Sequence, residues 1–386
     1  MSQAPRRCDV AVIGGGPVGA ALALALAPAP VSIVLLERSA AAVPGRSTGS
    51  RPIALSYSSR LILEQLGAWS ELAPTPIRRI EVSQAGRFGR TVIEPRDTGT
   101  PELGYVIEYG ELAQMLMAIL HRRSIPVVTS AQVQSVEVNS ERAELSYLRD
   151  GEAHVLQAAC VAHAEGSTRD ATHGRDYAQQ ALVALVDCEP AAGNSAFERF
   201  TAEGPLALLP MAERYAVVWV CPERHAAALA HAAPEVFLHE LQSAAGSRAG
   251  RFTALRSLSR TPLALRYRAA RIAPREAYIG NAAQTLHPVG GQGLNLGLRD
   301  AWELARCIRA DPGAAGSAPL LARFARARRL DMVATIRVTD LLATLFTGDN
   351  PLTAAARGAA MTALDLVPPA RRFLARRMTF GAAALP

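Results

Sequence analysis

Asp9-Val10-Ala11-Val12-Ile13-Gly14-Gly15-Gly16-Pro17-Val18-Gly19 runs into the small-residue stretch Ala20 to Ala27 and then into Val31-Ser32-Ile33-Val34-Leu35-Leu36-Glu37-Arg38. The opening residues read as a short β-branched strand, Ala20 to Ala27 as a helix and Val31 to Leu36 as a second buried strand, which makes one βαβ unit. Gly14, Gly16 and Gly19 form G-x-G-x-x-G between strand and helix. The first glycine permits a tight turn, the second lets the backbone approach a pyrophosphate, and the third lets helix and strand pack closely. Gly15, Pro17 and Val18 complete a turn that points the helix N-terminus at the anion. Glu37, with Arg38 after it, stands 18 residues past Gly19. An acid there accepts hydrogen bonds from ribose hydroxyls and repels a 2′-phosphate, favouring FAD or NAD over NADP. The motif alone leaves FAD and NAD open.

Composition narrows the chemistry further. The chain has 386 residues, a net charge of +7 and no lysine, so all 41 Lys+Arg positions are arginine. Schiff-base lysines, P-loop NTPases and protein kinases are excluded. Hydrophobic residues make up 49% of the chain, an ordinary globular share, and the length suits two or three domains. Cys8, Cys160, Cys188, Cys221 and Cys307 form no C-x-x-C pair, so they are expected to be buried apolar side chains rather than metal ligands or redox partners. Asp9 and the glycines interrupt any secretory pattern after Arg6-Arg7, and Pro28 and Pro30 break the longest apolar tract, so neither a signal peptide nor a membrane span is expected.

Beyond the first unit, helices are expected near Ser58 to Leu66 and Glu111 to Arg122, a hairpin over Ile77 to Ile93, and a meander of Val127 to Val138, Ala143 to Leu148 and Ala153 to Ala162. Strands dominate Tyr177 to Leu265, with a helix near Pro234 to Ala245. Ala277 to Ile279 then feeds a glycine loop and a helix from about Leu294 to Ala310. Asp311 to Ala318 reads as an exposed loop and the chain after Leu320 as helical.

The second glycine loop is Gly280-Asn281-Ala282-Ala283-Gln284-Thr285-Leu286-His287-Pro288-Val289-Gly290-Gly291-Gln292-Gly293-Leu294-Asn295-Leu296-Gly297-Leu298-Arg299-Asp300. It is a strand end, a His-Pro corner and free N–H groups at a helix start, an environment that stabilises an anion such as the pyrimidine edge of a reduced flavin. The stretch resembles the second FAD motif of the aromatic-hydroxylase flavoproteins, and within them it is most similar to the ubiquinone-biosynthesis hydroxylases. Arg51-Pro52-Ile53-Ala54-Leu55, Ile107-Glu108 leading to Gln114, Phe197-Glu198-Arg199-Phe200, Gly204 to Met211, Pro262 to Leu265 and Val338-Thr339-Asp340 extend the resemblance over nearly the whole chain.

That resemblance implies a p-hydroxybenzoate-hydroxylase-like α/β fold, a Rossmann-like FAD-binding domain interrupted by a mainly β substrate domain. The FAD domain would take residues 1–75, 100–176 and 266–320, the substrate domain 76–99 and 177–265, and a C-terminal helical segment 321–386. Gly14, Gly16 and Gly19 would hold the pyrophosphate and Glu37 the adenosine ribose. Arg51 would lie near the isoalloxazine or pyrophosphate, Gln114 near the ribityl or pyrophosphate, and Asn281 where the wider group carries Asp. Pro288, Gly290, Gly291, Gln292, Gly293, Leu294 and Asn295 would line the flavin's pyrimidine edge. Arg51 and His287 are the candidate catalytic residues, with His287 read either as an acid/base group or as a corner residue whose ring packs or hydrogen-bonds beside Pro288.

FAD, NAD(P)H and O2 would then hydroxylate a polyprenylated phenol, 2-polyprenyl-6-methoxyphenol, through a C4a-hydroperoxyflavin. The sequence departs from the family at Glu165-Gly166, where Asp-Gly is usual, at Gly49, where relatives carry an acid, and at Gly290, where Ala is common. A different ring position, a different phenol and a non-catalytic flavin-binding assembly subunit stay open as alternatives; a halogenase would need a lysine.

Residues 321–386 hold ten arginines against four aspartates, +6 of the +7. Arg371 to Met378 is basic and amphipathic, which fits either a solvated face or contact with an anionic membrane surface. The expected setting is cytoplasmic, peripheral at the inner membrane surface, beside other ubiquinone-pathway enzymes. Nothing points to nucleic acid. Asp300 reads equally as catalytic or as a buried contact, and Tyr215, Trp219 and Phe200 as core rather than pocket.

Overall fold

The computed structural model describes residues 6–40, 51–166, 173–345 and 351–381, so the Gly49 position lies outside the described residues. The strand Arg7–Ile13 is the centre of the first sheet. It pairs in parallel with Ile33–Leu36 on one side and Glu152–His163 on the other. Val127–Val128 extends the sheet on one side, and Glu276–Tyr278 follows Glu152–His163 on the other, also in parallel, with Ile272–Ala273 antiparallel beyond it. Covered on both faces, the central strands Arg7–Ile13 and Ile33–Leu36 are mostly continuous apolar runs rather than alternating ones. The helix Pro17–Leu26 carries proline in its first turn and is buried nearly all round, as its Ala/Leu composition requires. It packs against the long helix Gln292–Ala310.

A second, eight-stranded sheet is built mainly from His173–Glu189, Ser195–Phe200, Pro205–Met211, Arg214–Pro222 and Arg251–Tyr267, with Arg79–Gln84 and Arg90–Ile93 at one edge. One face of this sheet is covered by the helices Glu223–His231 and Pro234–Ala245, through Leu229, Phe237 and Leu241. A three-stranded sheet of Pro52–Ser56, Gly104–Glu108 and Thr75–Ile77 stands against its other face. Three helices, Ala318–Leu345, Pro351–Leu366 and Pro368–Phe380, follow. This is the α/β architecture with an interrupting β layer and C-terminal helices that the motifs implied.

Three local expectations change. The strand expected over Val127 to Val138 is split by Ser130, whose φ of 57° turns the chain before Ala131–Val138. The helix Glu223–His231 was hidden by its histidines and alanines. Asp311 to Ala318 is not a freely exposed loop: Ala315 is buried and Gly316 abuts the Ala159 carbonyl at the sheet. All five cysteines are free and buried.

Candidate functional site

The first glycine turn has the geometry its spacing called for. Gly14 has φ +103°, and a Cβ there would come within 2.6 Å of the Ala164 carbonyl oxygen. A Cβ on Gly19 would overlap the Gly14 carbonyl oxygen, so helix and strand meet as closely as backbone allows. Gly16 caps the helix Pro17–Leu26 without any side-chain hydrogen bond, which leaves the helix N–H groups facing outward. The Glu37 carboxylate accepts hydrogen bonds from the Gly15 N–H at 2.5 Å and the Ser39 N–H at 2.7 Å, so it sits over the turn. Arg38 is exposed beside it.

The next layer includes a residue that the sequence did not flag. Tyr109 opens the helix Tyr109–Arg122; its hydroxyl lies 3.2 Å from where a Gly16 Cβ would be, and the Arg51 guanidinium stands 5.1 Å from its ring centroid. Burial raises the Tyr109 pKa, against the opposing effect of Arg51, so it remains a neutral hydroxyl beside the turn. Its position one residue after the matched Ile107-Glu108 was the available signal. On the same helix Met117 reaches Gly15 with its Cε at 3.0 Å from the Cβ position, and the exposed Gln114 lies one turn back on that face.

Ala164-Glu165-Gly166 closes the turn from the sheet side, since the Glu165 Cα is 2.8 Å from the Gly14 Cβ position. The longer glutamate reaches sideways: Glu165 Oε1 is 3.4 Å from His163 Nδ1, and Glu276 Oε2 is 2.7 Å from His163 Nε2. Burial alone would lower the His163 pKa, but hydrogen bonds to the two glutamates raise it to about 9.

The second glycine loop stands opposite. Gly290 and Gly291 have φ of 70° and 60°, and Gly291 begins the helix Gln292–Ala310 with no side-chain cap. Nothing lies within 4 Å of a Cβ placed on Gly293, and Leu294 packs inward beside it. Asn295 is used within the protein: its Nδ2 donates to the Ala54 and Gly291 carbonyls at 2.9 and 2.8 Å, and its Oδ1 accepts from the Ser56 N–H and Ser59 Oγ at 2.8 and 2.7 Å. Its side chain therefore shapes the loop and cannot also line it as a free donor. Gln292 likewise donates to the Gly290 carbonyl at 3.1 Å.

Asn281 is half-buried in the turn Gly280–Ala282. Beneath it Asp300, fully buried, accepts from the Gly280 N–H at 3.2 Å, from Arg271 at 2.6 Å and from Arg328 at 2.8 Å. Burial would raise its pKa, but the two guanidiniums hold it well below the carboxylate range. Asp300 is a structural anchor, not a catalytic group.

His287 is 1% exposed. Its Nδ1 accepts from the Val289 N–H at 3.2 Å, so Nε2 carries the proton, and that Nε2 has no hydrogen-bond partner among the described residues. Burial lowers its pKa to about 4, against a small opposing pull from Asp340. The ring stands edge-on to Tyr177 at 5.1 Å, and the Tyr177 hydroxyl donates to Asp340 at 2.7 Å. A polar cleft of about 430 Å³ borders Tyr177, between Gln179, Glu203 and Thr344. Tyr215 and Trp219 belong to the helix-covered core.

A glycine cradle that any Cβ would fill, two uncapped helix N-termini, a carboxylate over the first turn and an orphaned buried imidazole N–H beside the second fit a dinucleotide carrying a flavin. The family model described as FAD binding domain matches residues 7–337. The chain belongs to that family, and its cofactor is FAD. The 3-demethoxyubiquinol 3-hydroxylase of Escherichia coli (strain K12) is 30% identical, over 89% of this chain and 91% of its own length. The ubiquinone hydroxylase UbiL of Rhodospirillum rubrum is 29% identical, over 97% and 90%. Among solved structures, p-nitrophenol 4-monooxygenase PnpA from Pseudomonas putida superposes with a TM-score of 0.80 at 17% identity, covering 98% of this chain and 100% of that one. The fold is thus the one used by FAD-dependent aromatic hydroxylases.

Proposed function

We propose that this FAD-dependent aromatic monooxygenase hydroxylates the ring of a polyprenylated phenol in ubiquinone biosynthesis, a 2-polyprenyl-6-methoxyphenol, with NAD(P)H as reductant. The observation that carries the reading is the pairing of a complete flavin cradle with the inner face of the large sheet, which stands across from the Gly290–Gly291 loop through Ala54 and Val106. The ubiquinone-hydroxylase relatives support the substrate class.

The flavin, when bound, supplies the oxygen-transfer chemistry. The protein's residues bind, orient and shield. Gly14, Gly16, Gly19 and the helix N-terminus would hold the pyrophosphate, Glu37 the ribose, and Arg51 with Tyr109 the phosphates or ring from the side. The backbone N–H groups from Gly290 to Asn295 would stabilise negative charge on the pyrimidine edge. His287, neutral at pH 7, is a donor through Nε2 rather than a general base. The catalytic roles of Arg51 and His287 are therefore orientation and hydrogen bonding.

The basic C-terminal helix Pro368–Phe380 supports contact with an anionic membrane surface, since Phe373 is exposed with Arg372 and Arg376 near it. Not all of its charge is free: Arg371 pairs with Asp97 at 3.1 Å. No helix among the described residues is long and apolar enough to cross a membrane. Profiling of quinone precursors in a strain lacking this protein tests the function. Accumulation of a prenylated phenol one ring oxygen short of its successor is expected, and an unchanged quinone profile would sink the reading.

A further inference from the structure

Glu198 lies in the Phe197-Glu198-Arg199-Phe200 segment, and no role described above uses it. Along the strand Ser195–Phe200 side chains alternate between faces. Phe197 packs on the helix-covered core, whereas Ala196 clusters with Ile77, Leu103 and Val106 on the side of the three-stranded sheet. Glu198, two residues from Ala196, shares that inner face. Its cross-strand neighbours are Ala207 on one side and Val82 on the other, and Val218 and Val183 continue the row. One carboxyl thus stands in a row of four aliphatic side chains.

All five row residues keep some accessible surface, whereas their outward-facing neighbours Leu182, Leu206 and Val217 are fully buried. This face is therefore half-open rather than sealed, and it lies toward the second glycine loop: a Gly291 Cβ would meet the Ala54 Cβ at 3.2 Å, and Ala54 pairs with Val106, which clusters with Ala196.

Glu198 has no hydrogen bond or ion pair with any described residue. On the helices packed against this face Arg371 is paired with Asp97 and Arg96 with Glu94, while Arg372 and Arg376 are exposed and Arg377 is half-buried. Burial is the sole cause that raises the Glu198 pKa to about 7. An unpaired carboxyl in an apolar wall destabilises a fold, so its presence calls for a partner that arrives with the substrate.

We propose that Glu198 is the catalytic base that takes the proton from the hydroxyl of the bound phenol. This rests on the phenol-hydroxylase reading above. The phenol O–H bond breaks, its electron pair stays on oxygen and enriches the ring carbons ortho and para to it, and the proton resides on Glu198 until it returns to the product. A carboxylate at its ordinary pKa is roughly six units below a phenol of about 10, too weak to draw the proton far. Raised to about 7, it halves that gap.

The test compares the FAD-loaded wild-type protein with Glu198→Gln, using a short-chain 2-prenyl-6-methoxyphenol. The variant should keep its flavin and lose hydroxylation by about 10²–10⁴-fold, with loss of the wild-type rise in kcat/KM through neutral pH. Glu198→Asp should restore part of the rate. Hydroxylation by the glutamine variant within about two-fold of wild type, with the same pH limb, would overturn the proposal. A second readout does not need turnover: the affinity of the phenol for the oxidised FAD-loaded protein, followed by perturbation of the flavin absorbance, should strengthen as pH rises through 7 in the wild type, because an ionised carboxylate accepts the phenol hydroxyl more strongly than a neutral carboxyl does, and should stay flat in Glu198→Gln. That pH dependence without hydroxylation leaves Glu198 standing and removes the hydroxylase reading; a wild-type affinity that is flat from pH 6 to 8 removes Glu198.

Discussion

The nucleotide half buries Asp300 between Arg271 and Arg328, with the Gly280 N–H as a third donor, while the inner face of the large sheet leaves Glu198 among aliphatic side chains. The two acids are pushed in opposite directions, Asp300 well below the carboxylate range and Glu198 up to about 7. Pairing fixes a carboxylate permanently as a charge and makes it a strut. Isolation keeps a carboxyl near neutrality at working pH and makes it a reagent. Where an acid must hold a loop it is satisfied; where it must exchange a proton it is left wanting.

Asp300→Asn should have the largest effect, because it leaves the Arg271 guanidinium buried without its counter-charge and Arg328 with Asp331 alone. A loss of about 3–5 kcal/mol in urea unfolding is expected, together with loss of flavin as the Gly280 turn loosens. A variant of near wild-type stability would erase the contrast between the two acids.

Gly19→Ala comes next. Its methyl group overlaps the Gly14 carbonyl, so helix and strand must separate, at a cost of about 1–3 kcal/mol and with the pyrophosphate site displaced. Purified protein should be colourless; a yellow protein with normal FAD content would show that the close approach is dispensable.

The acids around His163 make an intermediate case, a pair of carboxylates satisfied by one imidazole. Because the His163 pKa is raised to about 9, the folded protein holds a proton that the unfolded chain releases near 6.5. The contribution is complete below pH 6.5 and is lost as pH rises through 9. Thermal midpoints should fall over that window in the wild type and much less in His163→Gln; parallel profiles would contradict the pairing.

Glu165→Asp should have the smallest effect. The shorter acid withdraws from His163 and moves over Gly14, and FAD affinity should change by about two- to five-fold, read by flavin fluorescence. No change would mean that the side chain at this position does not face the cofactor.

Much of the fold was legible from local pattern. The glycine spacing, the β-branched runs and the Pro17 start of the first helix each dictate backbone geometry within a few residues. The second loop was legible as a motif, but not in its division of labour. Asn295 reads as a flavin-lining residue, yet three of its four hydrogen bonds go to Ala54, Ser56 and Ser59, 236 to 241 positions away where no local pattern reveals them, and the fourth goes to Gly291 in its own loop. Tyr109 and Glu198 were missed as site residues for the same reason. What marks them is their position across strands and turns, Gly16 for one and Ala207 and Val82 for the other. The excess charge of the last 66 residues also reads differently in three dimensions, because Arg328 is buried against Asp300 and Asp331 rather than displayed.

The most direct measurement is product analysis by mass spectrometry after the FAD-loaded protein, NADPH or NADH and a short-chain 2-prenyl-6-methoxyphenol react under heavy-isotope O2. The expected result is a hydroxylated ring carrying one labelled oxygen atom. Unchanged phenol, with all the consumed reductant recovered as hydrogen peroxide, would contradict the assignment of this protein as a phenol hydroxylase.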